Sequence, residues 1–120
     1  MPSIQTRNLF QDLPDALAAE ALDTLFSNPS LRIERIVSQG QSTPDQDWYD
    51  QREDEWVMLV QGAARLSFED PAQNISMTPG DHILIPAHCR HRVDWTPPDQ
   101  ATIWIAVHAQ SLTESRNPAS

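Results

Sequence analysis

From Leu31 onward the chain is cut into apolar runs too short for anything but strands. "LRIERIVS", "EWVMLVQG", "AARLSFED", "NISMTPGD", "HILIPAH", "HRVDW" and "ATIWIAVHA" follow one another. Within them apolar residues recur at every second position, the period of a strand. Gly62, "EDPAQN", "TPGD", "PAHCR" and "TPPDQ" part most of the runs, and such clusters are turn signals. Ten prolines against three glycines favour short elements joined by stiff turns. Seven short strands at close spacing predict an all-β barrel or sandwich.

The stretch before residue 31 reads differently. "DLPDALAAEALDTLF" puts Leu13, Leu17, Ala21 and Leu25 or Phe26 near one helical stripe. Pro14 suits a first turn and Asp12 a cap. A short N-terminal α-helix is expected there, ended by "SNPS" and packed on the barrel. Residues 1–30 thus form a helical segment, 31–109 the barrel, and the polar residues 110–120 a disordered tail.

With 120 residues the chain suits one domain with a modest core. Its formal charge of -9 offers no basic stripe to a nucleic acid or an anionic membrane. Cys89 is the single cysteine, so no intramolecular disulfide forms, and the thiol is expected to be buried or at an edge. No run approaches the ~18 apolar residues of a membrane span. Nothing at the start reads as a signal peptide, and a cytoplasmic protein is expected.

Two strands are apolar on both faces. In "EWVMLV", Val57 and Leu59 oppose Trp56, Met58 and Val60; in "TIWIAVHA", Ile103, Ile105 and Val107 oppose Trp104 and Ala106. A small barrel fills its own interior, so apolar outer faces need another cover. A homodimer is expected.

Four acids, Asp50, Glu53, Asp54 and Glu55, crowd the entry to the "WVMLV" strand. They cannot all ionise cheaply beside a barrel interior without a cation or a partner. Strand parity turns Glu55 inward with Val57 and Leu59. His91 shares parity with Val93 and Trp95 and can point inward too. A Glu and a His facing each other across a cavity make an acid/base pair, a metal site with Asp50, or an inert hydrogen-bonded plug. Glu53 and Asp54 then line the rim. Trp48, Tyr49 and Trp95 are candidates to stack on a ligand. His88 reads as a turn residue that reaches the same ion only if the turn folds back. His82 is expected at the surface. If Ile103, Ile105 and Val107 face inward, His108 lies outside.

The spacing of these residues resembles the cupins. Glu55, six residues and Gly62 match the end of that family's first motif. Gly80, five residues, Pro86, and His91 five residues further match its second. The likeness runs over residues 31–109 and implies a small double-stranded β-helix, or jelly-roll barrel. Two departures stand out. The H-x-H pair of the first motif falls on Trp48-Tyr49-Asp50, and the glycine of P-x-G is His88. The resemblance implies a small polar or carboxylated ligand in the barrel. It also implies a divalent metal (Fe, Mn, Zn or Ni) on Glu55, His91 and Asp50, with His88 as a further ligand. Among enzymes it implies a dioxygenase, isomerase, epimerase or lyase; the other outcome is a non-catalytic sensor or structural barrel with a vestigial site.

Overall fold

A computed structural model describes residues 3–13, 20–44 and 47–110. It is all-β among the described residues. Eight strands run in the order β1 (Ala21–Asn28), β2 (Leu31–Ser38), β3 (Glu53–Gln61), β4 (Ala64–Phe68), β5 (Gln73–Met77), β6 (His82–Ile85), β7 (His91–Trp95) and β8 (Thr102–Gln110). They form a five-stranded sheet, β1-β2-β8-β3-β6, and a three-stranded sheet, β5-β4-β7. Every pairing is antiparallel. Among the described residues no helix is long and apolar enough to cross a membrane.

The seven strands expected from the period-two runs are all present. The N-terminal helix is not. Ala21–Asn28 is a strand, paired with β2 from Ala21↔Val37 to Asn28↔Leu31. "SNPS", expected to stop a helix, holds the turn of a hairpin, where Ser30 N–H donates to Asn28 Oδ1 at 2.8 Å. The physical reason is the open edge of β2. Its unpaired N–H and C=O groups need partners, and a strand supplies them where a helix cannot. The rest of the helical stripe, residues 14–19, lies outside the described residues, as do residues 111–120 of the expected tail.

The core lies between the two sheets. Val57, Leu59, Ala64, Leu66, Met77, Ile85, Trp104 and Ala106 are its buried members. β8 is the middle strand, with β2 on one side and β3 on the other, which is why its sequence is apolar on both faces. Its inward row is Trp104 and Ala106, while Ile103, Ile105 and Val107 face outward. The outer face of β2 buries Arg35, which donates to Asp23, to Leu9 O at 2.9 Å and to Gln11 O at 2.6 Å.

Both motif glycines take backbone angles that only glycine adopts cheaply: φ is +93° at Gly62 and +96° at Gly80. His88 has φ +63°. It occupies the P-x-G glycine position in the left-handed conformation that a glycine there would favour.

Candidate functional site

A cavity of about 330 Å³ opens between the sheets. β2 contributes Arg32, Glu34 and Ile36; β3 contributes Glu55 and Val57; β8 contributes Trp104 and His108. β6 of the same sheet adds Ile85, and the opposite wall holds Leu66, His91 and Val93. Exposed Leu22 and Tyr49 mark the mouth.

Glu55 and His91 meet inside it. They are 8% and 5% exposed, and His91 Nε2 lies 3.6 Å from Glu55 Oε1. That is ion-pair distance, beyond a good hydrogen bond, and Glu55 Oε1 has no hydrogen-bond partner. The far side of the ring is fixed. Nδ1–H donates to Cys89 O at 2.9 Å, leaving Nε2 as the nitrogen turned toward Glu55. Reciprocal backbone bonds to Tyr49, 2.8 and 3.1 Å, hold the strand at this point. The Tyr49 and Phe68 rings lie 5.6 and 6.1 Å from the imidazole. Burial works to lower the His91 pKa, but the Glu55 carboxylate and the Cys89 carbonyl outweigh it and hold the value above the usual range.

His108 is a correction. The parity expected for β8 is reversed, so His108 points inward with Trp104 and is 4% exposed. The reason is its place in the sheet: Ile103, Ile105 and Val107 serve the outer face of a middle strand. His108 Nε2 lies 3.2 Å from Glu34 Oε1, and Glu34 also accepts from Arg32 Nε at 3.1 Å. The cavity therefore holds a second Glu–His pair that the sequence reading missed. The signal was available: Glu34 and His108 sit on β2 and β8 at positions of matching parity, and His108 lies between the apolar Val107 and Ala109.

The other acids of the knot go elsewhere. Asp54 accepts from Ala87 N–H at 2.8 Å and so ties down the turn after β6 rather than lining the rim. Glu53 pairs with Arg32 Nη2 at 3.4 Å. Asp50 lies outside the cavity, in a surface groove with Trp48 and Arg90. Its Oδ1 lies 3.0 Å from His88 Nδ1 and its Oδ2 3.6 Å from Arg90 Nε. The His88 contact leads in holding the Asp50 pKa below the ordinary carboxylate value.

The three expected metal ligands therefore do not come together. Glu55 and His91 share the cavity; Asp50 and His88 pair with each other at the surface. Among the described residues no group of three or more His, Cys, Asp or Glu is arranged to hold a metal. The donor set does not fit the divalent ion that the fold family implies.

Of the aromatic candidates only Tyr49 reaches the cavity. Trp48 lies under the Arg92 guanidinium, 4.7 Å from its ring centre. Trp95 is turned outward by a bulge. Arg65 pairs with Trp95 and Leu66 with Val93, so Asp94 is the extra residue and parity flips after it. The Arg65 guanidinium lies 5.7 Å from the Trp95 ring centre on that outer side. Cys89 is half-buried and packs against the core cluster. His82 is exposed and accepts from Trp56 Nε1 at 3.2 Å.

No sequence-family model and no curated protein matches the chain. Solved structures do. A protein of Ralstonia eutropha, provisionally named a mannose-6-phosphate isomerase, is 44% identical over 90% of this chain and 100% of its own, with a TM-score of 0.86. A cupin superfamily protein of Desulfitobacterium hafniense is 20% identical over 88% of this chain and 98% of its own, TM-score 0.64. The cupin domain of Schizosaccharomyces pombe Cnp3 is 15% identical over 80% of this chain and 64% of its own, TM-score 0.68. These likenesses, the barrel and the spacing of Glu55, Gly62, Gly80, Pro86 and His91 lead to one conclusion: the chain belongs to the cupin superfamily.

Proposed function

We propose that the barrel binds a small polar molecule and exchanges protons with it through Glu55 and His91. One observation carries this reading: a buried Glu–His pair faces an open cavity with one carboxylate oxygen unpartnered. A plug would satisfy its own polar atoms, and a filled barrel would have no room. Trp48 and Trp95, two side chains large enough to fill the space, both lie outside it.

Proton transfer needs a base and an acid held at fixed positions. His91 Nε2 is poised for either role, because its Nδ1 is fixed as a donor. Glu55 stabilises the imidazolium and thus stores the proton. The name carried by the Ralstonia relative, an isomerase, is of a kind with this, since isomerisation moves protons between carbon and oxygen. A metal has no part in the proposal, because among the described residues no third His, Cys, Asp or Glu is arranged with Glu55 and His91 to hold one.

A screen of small polar molecules by ligand-detected NMR tests it. Ligands of the cavity should lose about tenfold or more in affinity on Glu55→Gln or His91→Gln. Hits unaffected by both variants would place binding elsewhere and end the reading.

We also propose a homodimer. One row crosses the outer face of the larger sheet: Phe26↔Ile33, Ile33↔Val107, Val107↔Trp56 and Trp56↔Leu84 are successive register partners. Phe26 and Leu84 at its ends are 53% and 63% exposed. Five strands at their usual spacing give a row about 19 Å long, and a second copy presents the same row for an isologous contact.

A further inference from the structure

The cavity's polar atoms specify the chemistry of what fills it. Among the described residues four buried side-chain atoms have no hydrogen-bond partner: Gln51 Oε1, Glu55 Oε1, Trp104 Nε1 and His108 Nδ1. All four belong to residues that line this cavity. Buried polar groups are nearly always partnered, and each unpartnered one is costly. The lining thus carries hydrogen-bonding capacity that the described residues leave unused, in atoms buried just beneath its surface.

Their senses differ. The Glu55 carboxylate and the Gln51 carbonyl oxygen only accept, and the Trp104 indole N–H only donates. His108 gives its Nε2–H to Glu34, so its Nδ1 accepts when the ring is neutral. The complement must therefore donate at two or three points and accept at another. Hydroxyl groups do both. A carboxylate or phosphate only accepts; it would satisfy Trp104 and set its lone pairs against those of Glu55 and Gln51.

Charge points the same way. The lining carries three carboxylates, Glu20, Glu34 and Glu55, against the one guanidinium of Arg32. With both imidazoles protonated the formal sum only reaches zero. Arg32 is already held by Glu34 at 3.1 Å and Glu53 at 3.4 Å. Among the described residues that line the cavity, no other Lys or Arg awaits an anion. Leu66, Ile85 and Val93 supply an apolar wall, the usual companion of a few placed polar groups.

We propose that the ligand is a neutral molecule bearing several hydroxyl groups, of the size of a monosaccharide or short polyol, hydrogen-bonded by Glu55, Gln51, Trp104 and His108. This rests on the cavity being a binding site, and it excludes the carboxylated ligand that the family resemblance implies, and phosphate esters with it.

The test is saturation-transfer NMR on the full chain with two sets of probes at equal millimolar concentration. One set is neutral: mannose, glucose, ribose, inositol and glycerol. The other is anionic: mannose 6-phosphate, ribose 5-phosphate and succinate. Transfer to at least one neutral probe is expected, weakened about tenfold by Trp104→Phe, which removes the indole donor and keeps an aromatic ring in the core. Glu55→Gln should weaken the same probe and raise the anionic probes relative to it. Tighter binding of an anionic probe, itself weakened by Trp104→Phe, would overturn the ligand class and leave the cavity as a binding site. Binding indifferent to both variants, or no binding in either set, would overturn the class and the site together.

Discussion

His91 has one nitrogen committed and one free. Nδ1 is spent on Cys89 O, so everything His91 does in the cavity goes through Nε2. Its raised pKa makes the Glu55–His91 pair a pH-dependent element. A histidine whose folded pKa exceeds its unfolded value binds its proton more tightly in the folded state. Its stabilisation is fully present below the unfolded value of 6.5 and is lost as pH rises through the higher folded value. Double-mutant cycles on Glu55→Gln and His91→Gln should therefore give a larger coupling at about pH 6 than at about pH 9. At the lower pH each single variant, leaving a buried partner, should cost about 1–3 kcal/mol. A coupling that is flat, or that grows toward alkaline pH, would show that the imidazolium is not what Glu55 holds.

At the level of elements, the four acids at the start of β3 and just before it turn to five different partners. Glu53 turns to Arg32, Asp54 to the Ala87 N–H, Glu55 to His91, and Asp50 to His88 and Arg90. Negative charge gathers at the mouth of a buried strand because basic or donating groups from β2, β7 and the turn after β6 converge there. The glycines at the strand ends are not equivalent. A Cβ on Gly62 would come within 2.8 Å of the Thr102 Cα, whereas one on Gly80 would meet nothing within 4 Å. Both have positive φ. Gly80→Ala should therefore cost only the backbone strain, about 1–2 kcal/mol. Gly62→Ala should cost clearly more, since β8 must shift as well, and chemical denaturation would rank the two. Equal losses would mean that the Thr102 contact is easily relieved.

For the whole molecule, the larger sheet leaves an apolar row across its outer face, from Phe26 through Val107 and Trp56 to Leu84. Light scattering at micromolar concentration should give twice the 13.5 kDa chain mass, in keeping with an interface of over ~1,000 Å². Leu84→Glu should shift it to monomer without unfolding, because that side chain is largely exposed and takes no part in the core. A wild-type mass of one chain at high concentration would leave the row without its second copy.

Strand existence from Leu31 onward was legible because a two-residue period and turn residues are local properties. So were the inward direction of Glu55 and the spacing that links it to His91, since parity within a strand is fixed by the pleat. Three things needed the tertiary structure. β1 became a strand because β2 offered an open edge, a demand that lies outside its own sequence. Trp95 left the cavity because of one bulged residue, and a bulge depends on the partner strand. His108 entered the cavity because β8 is a middle strand apolar on both faces, so hydrophobicity could not say which was inner. Asp50 illustrates the same limit: chain proximity to Glu55 predicted a shared site, but it lies before the start of β3, among His88 and Arg90. The sequence by itself determined the period, the glycines and the Glu55–His91 spacing; only the pairing of distant strands decided which polar atoms face the cavity.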